Sequence, residues 1–390
     1  MSAEPIRKEV TGRYLVVVDV AAPGEKRRQL KRRFATYKEA RAWLAETRSH
    51  VGTGSFVRPQ KVTLEQWVTD WLPILQTQVR PQTFDSYARN LRLHLLPTLG
   101  ARPLQSIKPA DLSTLYARLL TSGRADHAAG TGLSHRTVAY LATIVGKCLE
   151  AAMRGGLVQS NPARRAEVPK ASSTGRKHEQ MRTWSQQDLG RFLELTREHP
   201  HHSAWLLLAT TGLRRGEALG VAWSSVGLDD GRLSVTRTLV DLDGDLPVWS
   251  DPKTARGRRS IALDPGTVAA LRAQRVAQAQ ERLMSGVEYV DHDLVFARPD
   301  GRPWHPERFS RTFTEQVARH GLPPFSVHGL RHSWATLALK AGVHPKVVQE
   351  RLGHSTIGIT LDVYSHVLPS METDAADRVA ALILGVQPGA

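Results

Sequence analysis

The chain has 390 residues, 53 Lys and Arg against 37 Asp and Glu, 41% hydrophobic residues and a formal net charge of +16. That composition is globular, long enough for roughly two to four domains with packed cores, and its cationic excess predicts a polyanionic partner, nucleic acid ahead of an anionic membrane surface. The single cysteine, Cys148, excludes a disulfide framework or thiolate metal site and fits a reducing cytoplasm; there is no apolar run of ~20 residues and no phosphate-cradling glycine loop.

The charge is unevenly placed. Residues 1–60 carry 13 basic and 6 acidic side chains, 61–180 carry 16 and 8, and 181–390 carry 24 and 23, so nearly all the excess lies in the first 180 residues. In chain order, Tyr14 to Val20 reads as a strand, Ala22 to Glu25 as a turn, and Lys26 to Phe34 as a basic strand containing Lys26, Arg27, Arg28, Lys31, Arg32 and Arg33. Thr36 is placed to cap a helix from Lys38 to about Arg48, with Ala40, Trp43 and Leu44 on one face. Strands, one helix and clustered cations in fewer than sixty residues suit a sheet that enters a DNA groove. Val51 to Gln60 reads as a linker.

Thr63 and Gln66 then form a capping box ahead of Trp67, Trp71, Leu72 and Leu75. Further helices are expected over 81–94, 109–121 and 134–154, a four-helix module with Arg80, Arg89, Arg92, Arg136 and Arg154 spread along it. Ala171 to Lys177 reads as a hinge. Beyond it, helices are expected from Trp184 to about His199 and over 204–210, and a single short antiparallel sheet from 232–239, 246–249 and 258–263. Helices over 265–284, 306–320, 328–341, 345–352 and 360–366 and an amphipathic tail over 371–384 complete the chain. His199, His201 and His202 read as loop histidines without a fourth metal ligand, and Trp67, Trp71 and Met284 as core.

Four stretches carry more specific information: TGLRRGE at 211–217, PKTARGRR at 252–259, HGLRH at 328–332 and LGHSTIGITLDVYSH at 352–366. In this order and spacing they resemble the tyrosine recombinase (phage integrase) family across the last domain, while the first two modules match it by layout. The resemblance implies that Arg214 and Arg331 bind a scissile DNA phosphate, Tyr364 is the nucleophile, and His328, His354 and Lys253 complete the catalytic set, with Glu217 supporting it. Arg256, Arg258 and Arg259 read as further DNA contacts on the basic hairpin. The implied fold is mainly α and multidomain with small β elements. It comprises an α+β arm-type DNA-binding module (1–58), a four-helix core-binding, SAM-like domain (61–170) and a mixed α/β catalytic domain (181–390).

Elementary chemistry agrees with that assignment. Attack on an anionic phosphodiester builds further negative charge, which two guanidiniums can stabilise without a metal. A phenol with an ordinary pKa near ~10 needs its proton removed, a task suited to His328, while Lys253 can protonate the departing 5′ oxygen. A phosphotyrosyl ester conserves the energy of the broken bond, so no nucleotide, metal or other cofactor is expected. The implied partners are double-stranded attachment sites held in a C-shaped clamp, a homotetramer on synapsed DNA, and DNA-bending and excision-directionality factors. The tail after His366 is expected to dock on a neighbouring protomer, and no membrane is involved. The competing readings are a type IB topoisomerase, a non-catalytic DNA-binding regulator and, more weakly, a metal-dependent phosphodiesterase.

Overall fold

Alternating side chains along Tyr14–Asp19 (β2) place Val16 and Val18 on one face, where they are buried against Ala40 and Leu44 of the helix Tyr37–Gly52 (α1). β2 is the centre of an antiparallel sheet, with Ile6–Lys8 (β1) on one edge and Gln29–Phe34 (β3) on the other. The sequence reading missed β1 and began β3 three residues early. Asp19 explains the later start: its carboxylate accepts the Ala21 and Arg28 N–H groups, so ladder pairing ends at Asp19 and Gln29. Thr36 and Glu39 form the capping box that starts α1.

The computed structural model describes residues 5–21, 26–53, 56–123, 131–170, 183–240, 248–250, 257–354, 356–364, 380 and 383–384. The turn expected at 22–25, the hinge at 171–177 and nearly all of the tail at 371–384 lie outside them. The chain forms two units, Met1–Ser173 and Thr174–Ala390.

The first unit contains the small sheet and a helical bundle of Leu64–Gln78 (α2), Pro81–Asn90 (α3), Leu96–Leu99 (α4), Pro109–Ser122 (α5) and His135–Arg154 (α6). Trp67 and Trp71 are core residues, and the Trp67 indole donates to the Cys148 carbonyl, fastening α2 to α6. The helix expected to end at His94 runs on to Leu99 through a wide π-turn at Leu91–Leu95. Pro97 accounts for it: without an N–H and with a bulky ring, it cannot continue regular i to i−4 bonding.

The second unit is built on an aromatic core of Trp184, Phe192, Trp205, Phe309, Phe313 and Phe325. Its helices are Gln186–Leu195 (α7), His202–Thr211 (α8), Arg215–Leu219 (α9), Pro265–Ser285 (α10), Pro306–Arg319 (α11), Val327–Lys340 (α12), Pro345–Leu352 (α13) and Ile357–Tyr364 (α14). α14 begins three residues before the expected Thr360. The expected single sheet is two: Val226–Gly227 (β4), Arg232–Val235 (β5) and Arg259–Ala262 (β8) form one, Thr238–Val240 (β6) and Val248–Ser250 (β7) the other. Arg237 marks the break. Its guanidinium donates to the Gly220 and His292 carbonyls and stacks on Trp249, pulling the chain out of the β5 line. One other expectation is corrected: Met284 is 88% exposed at the end of α10. His199 and His201 lie in the turn between α7 and α8 as expected, with His201 buried among Trp205, Trp304 and Phe309, while His202 opens α8.

Candidate active site

The TGLRRGE stretch turns the end of α8 into the start of α9. Gly212 closes α8 in the left-handed region (φ +67°), and its carbonyl accepts from Arg331 Nη1 at 2.8 Å. A Cβ here would lie 2.8 Å from Leu352 Cδ2 and 2.9 Å from the Trp334 ring, so only glycine fits. Arg214 is the N-cap of α9, with extended backbone. Its N–H donates to Glu217 Oε2 at 2.9 Å and its Nη1 to Oε1 at 2.8 Å, while 42% of the arginine side chain stays open to solvent.

Glu217 is almost fully buried, and a second guanidinium, that of Arg259, approaches it through Nη2 at 2.9 Å and Nη1 at 3.2 Å. Burial alone pushes the carboxyl pKa up; hydrogen bonds and charge from Arg259, then the charge of Arg214, outweigh it and hold the pKa at about 2. The Arg259 side chain is only 8% exposed. It therefore leaves the set of expected DNA contacts, whereas Arg258 beside it is exposed. Lys253 and Arg256 lie outside the described residues.

Ser326 caps α12, which carries His328, Arg331 and His332. Arg331 is 3% exposed and commits Nη1 to Gly212 and Nη2, at 2.7 Å, to the Leu352 carbonyl. His328 keeps an exposed face, and its ring meets that of His332 edge to face at 4.7 Å. Partial burial, followed by the charges of Arg331, Arg214 and Arg215, lowers the His328 pKa; burial and neighbouring charge bring His332 to about 4.

Three consecutive carbonyls at the end of α13 gather three arginines. Arg351 O accepts from Arg259 Nε at 2.6 Å, Leu352 O from Arg331, and Gly353 O from Arg214 Nη2 at 3.4 Å. A helix C-terminus presents unpaired carbonyls and a partial negative charge, which favours cations there. His354 follows immediately. Its Nδ1 lies 2.8 Å from the buried Thr360 hydroxyl of α14, leaving Nε2 for another partner, and burial with the Arg331 and Arg214 charges lowers its pKa to about 4. Tyr364 is the last residue of α14.

This constellation can neutralise a phosphodiester with guanidiniums and accept a proton on a neutral imidazole; the side chain of Tyr364 lies outside the described residues. Family models agree along the chain: the phage integrase family at residues 183–371, the phage integrase N-terminal SAM-like domain at 63–120 and an arm DNA-binding domain at 5–51. The chain belongs to the tyrosine recombinase family. Such enzymes are DNA strand-transferases. This recombinase is 27% identical over 363 residues to a XerC-like tyrosine recombinase of Caldanaerobacter subterraneus, covering 90% of each chain. The fold is also that of the Tn1549 transposon integrase in complex with transposon right end DNA (TM-score 0.66, 20% identity, 82% of this chain and 100% of that one). It matches the lambda integrase tetramer bound to a Holliday junction as well (TM-score 0.56, 15% identity, 92% and 94%).

In the recombinase's N-terminal sheet, register divides the expected DNA contacts. Val16 pairs with Arg32 and Val17 with Lys31, so Arg32 shares the helix-covered face with Leu30 and Phe34, and Lys31 and Arg33 share the other with Arg7. The Arg32 guanidinium lies 5.3 Å from the Phe34 ring centre and 5.7 Å from that of Trp43, beside a hollow of about 630 Å³ that also touches His50 and Gln159. Arg33 is held by Glu9 at 2.9 Å and Arg27 lies 3.4 Å from Asp19; Lys26, Arg27 and Arg28 precede the strand and are exposed.

Sequence reasoning missed the internal role of Arg259, the Thr360 contact and the Arg351–Gly353 carbonyls. One signal was available. Arg259, Ile261 and Leu263 alternate, and a strand that turns Ile261 inward turns Arg259 inward too.

Proposed function

We propose that this recombinase integrates, and in reverse excises, a mobile element by cutting and rejoining DNA through a 3′-phosphotyrosine on Tyr364. The observation that carries the reading is the gathering of Arg214, Arg331 and His354 at one helix end, beside His328 and immediately before the helix that ends in Tyr364. Arg214 and Arg331 stabilise the charge that builds on the non-bridging oxygens. The phenol oxygen attacks phosphorus, its proton passes to neutral His328, and the bond to the 5′ oxygen breaks as Lys253 protonates it. Religation runs the same transfers backwards. His354, oriented by Thr360, donates from Nε2 to the phosphate.

In the same reading residues 1–58 bind arm sites, 61–170 bind the core site and 181–390 cut it. Lys31 and Arg33 reach the arm DNA from the uncovered face of the sheet, with Lys26, Arg27 and Arg28 alongside. Arg256 and Arg258 contact core DNA with Lys253. The working assembly is a homotetramer on two attachment sites, in the cytoplasm, assisted by DNA-bending and directionality factors; the lambda integrase tetramer on a Holliday junction supports it. The deciding experiment is a nicked suicide substrate with wild-type and Tyr364→Phe proteins. The variant should bind core DNA with wild-type affinity and form no covalent adduct. An adduct with the variant would overturn the assignment, and sequence-independent relaxation of supercoils by wild type would select a topoisomerase instead.

A further inference from the structure

Arg259 is the most deeply enclosed ionic partner of the site that the reaction itself leaves unassigned. We propose that Arg259 is a positioning residue for strand cleavage, setting through Glu217 and the end of α13 how Arg214 and Arg331 present themselves to the scissile phosphate. The inference rests on the cleavage reading above and names a residue beyond it.

The geometry is that of a shared carboxylate. Glu217 Oε1 takes Arg214 Nη1 (2.8 Å) and Arg259 Nη1 (3.2 Å), and Oε2 takes the Arg214 N–H and Arg259 Nη2, each at 2.9 Å. With Arg259 present, one buried negative charge is divided between two cations and the cluster keeps a net positive charge beside the phosphate site. Without it, the whole carboxylate charge falls on Arg214, holding that guanidinium back from any incoming anion. The second contact works in parallel. Arg259 Nε donates to Arg351 O, one and two residues before the carbonyls that hold Arg331 and Arg214. A planar guanidinium can donate to a carboxylate and a backbone carbonyl at once from two edges, and lysine's ammonium has no such fork.

The test uses full-length wild type, Arg259→Lys, Arg259→Met and the double variant Arg259→Met with Glu217→Gln. Core-site affinity is measured by anisotropy, melting temperature by calorimetry, and single-turnover adduct formation on nicked duplexes with either an ordinary or a methylphosphonate scissile linkage. The lysine variant should bind core DNA within about twofold of wild type, stay folded at the assay temperature, and form adduct about tenfold more slowly; the methionine variant should lose about a hundredfold. The neutral methylphosphonate needs less from the guanidiniums, so the deficit should shrink there to about threefold or less, and the double variant should recover part of the rate. An equal deficit on both linkages, or an Arg259→Met rate within about twofold of wild type, overturns the inference while the cleavage reading stands. Wild-type protein that forms no adduct overturns both.

Discussion

At Gly212 the chain must take a left-handed turn, expose its carbonyl to Arg331 and let Leu352 and Trp334 approach, all at one Cα. Gly212→Ala therefore adds a left-handed alanine to an overpacked contact. It should cost about 2–4 kcal/mol, read as a lower denaturation midpoint at unchanged slope, and slow cleavage as well; a loss below about 0.5 kcal/mol would contradict the assigned packing. Histidine protonation gives a second expectation at this scale. His201, His332 and His354 titrate at about 4 in the folded chain against an ordinary 6.5. Between those values the unfolded chain binds more protons, so stability rises with pH through that window and is lost as pH falls from 6.5 towards 4. Glu217 adds its own loss from 4.5 towards 2. Thermal melts across pH 7.5 to 4 should show the decline, and a flat profile would refute it. Because the His328 pKa is also lowered, the acidic limb of adduct formation should fall below pH 6.5.

The unit of meaning at the next scale is the face of an element rather than its composition. β3 reads QLKRRF, and its cations were legible from sequence as a basic strand, but pairing with β2 decides that Lys31 and Arg33 share the uncovered face while Arg32 lies over Phe34 and Trp43. Lys31→Ala should weaken arm-site binding and flatten its salt dependence by about one unit of slope, whereas Arg32→Ala should leave that slope unchanged and lower the module's melting temperature. A smaller salt slope for Arg32→Ala would reverse the division. The same reasoning separates Arg258, exposed just before β8, from Arg259 at the start of that strand. In both strands the apolar neighbours two residues away carried the signal, and clustered arginines obscured it.

For the whole chain, the uneven charge becomes a division of labour. The first 180 residues hold nearly all the excess cations, as expected of modules that neutralise runs of phosphates, where affinity falls steeply with salt. Residues 181–390 are close to neutral, 24 basic side chains being balanced by 23 acidic ones. Deleting residues 1–58 should abolish binding to distal arm sites and spare adduct formation on a core suicide substrate. Loss of core cleavage would refute the division.

Periodicity, caps and ordered motifs determined the helices and the family from sequence alone, and supplied the catalytic set that is proposed above, since these depend on residues close in the chain or on chemistry that only certain side chains perform. The capping boxes at Thr36 and Thr63 and the spacing of His328 and Arg331 are local facts. Tertiary structure alone decided that Arg214 caps a helix, that β5 and β6 belong to different sheets, that Met284 faces solvent, and that Arg259 turns inward to Glu217. Each depends on which distant backbone or carboxylate arrives at the residue, as with the carbonyls of residues 351–353 that gather Arg259, Arg331 and Arg214. No spacing within one strand or helix encodes that meeting.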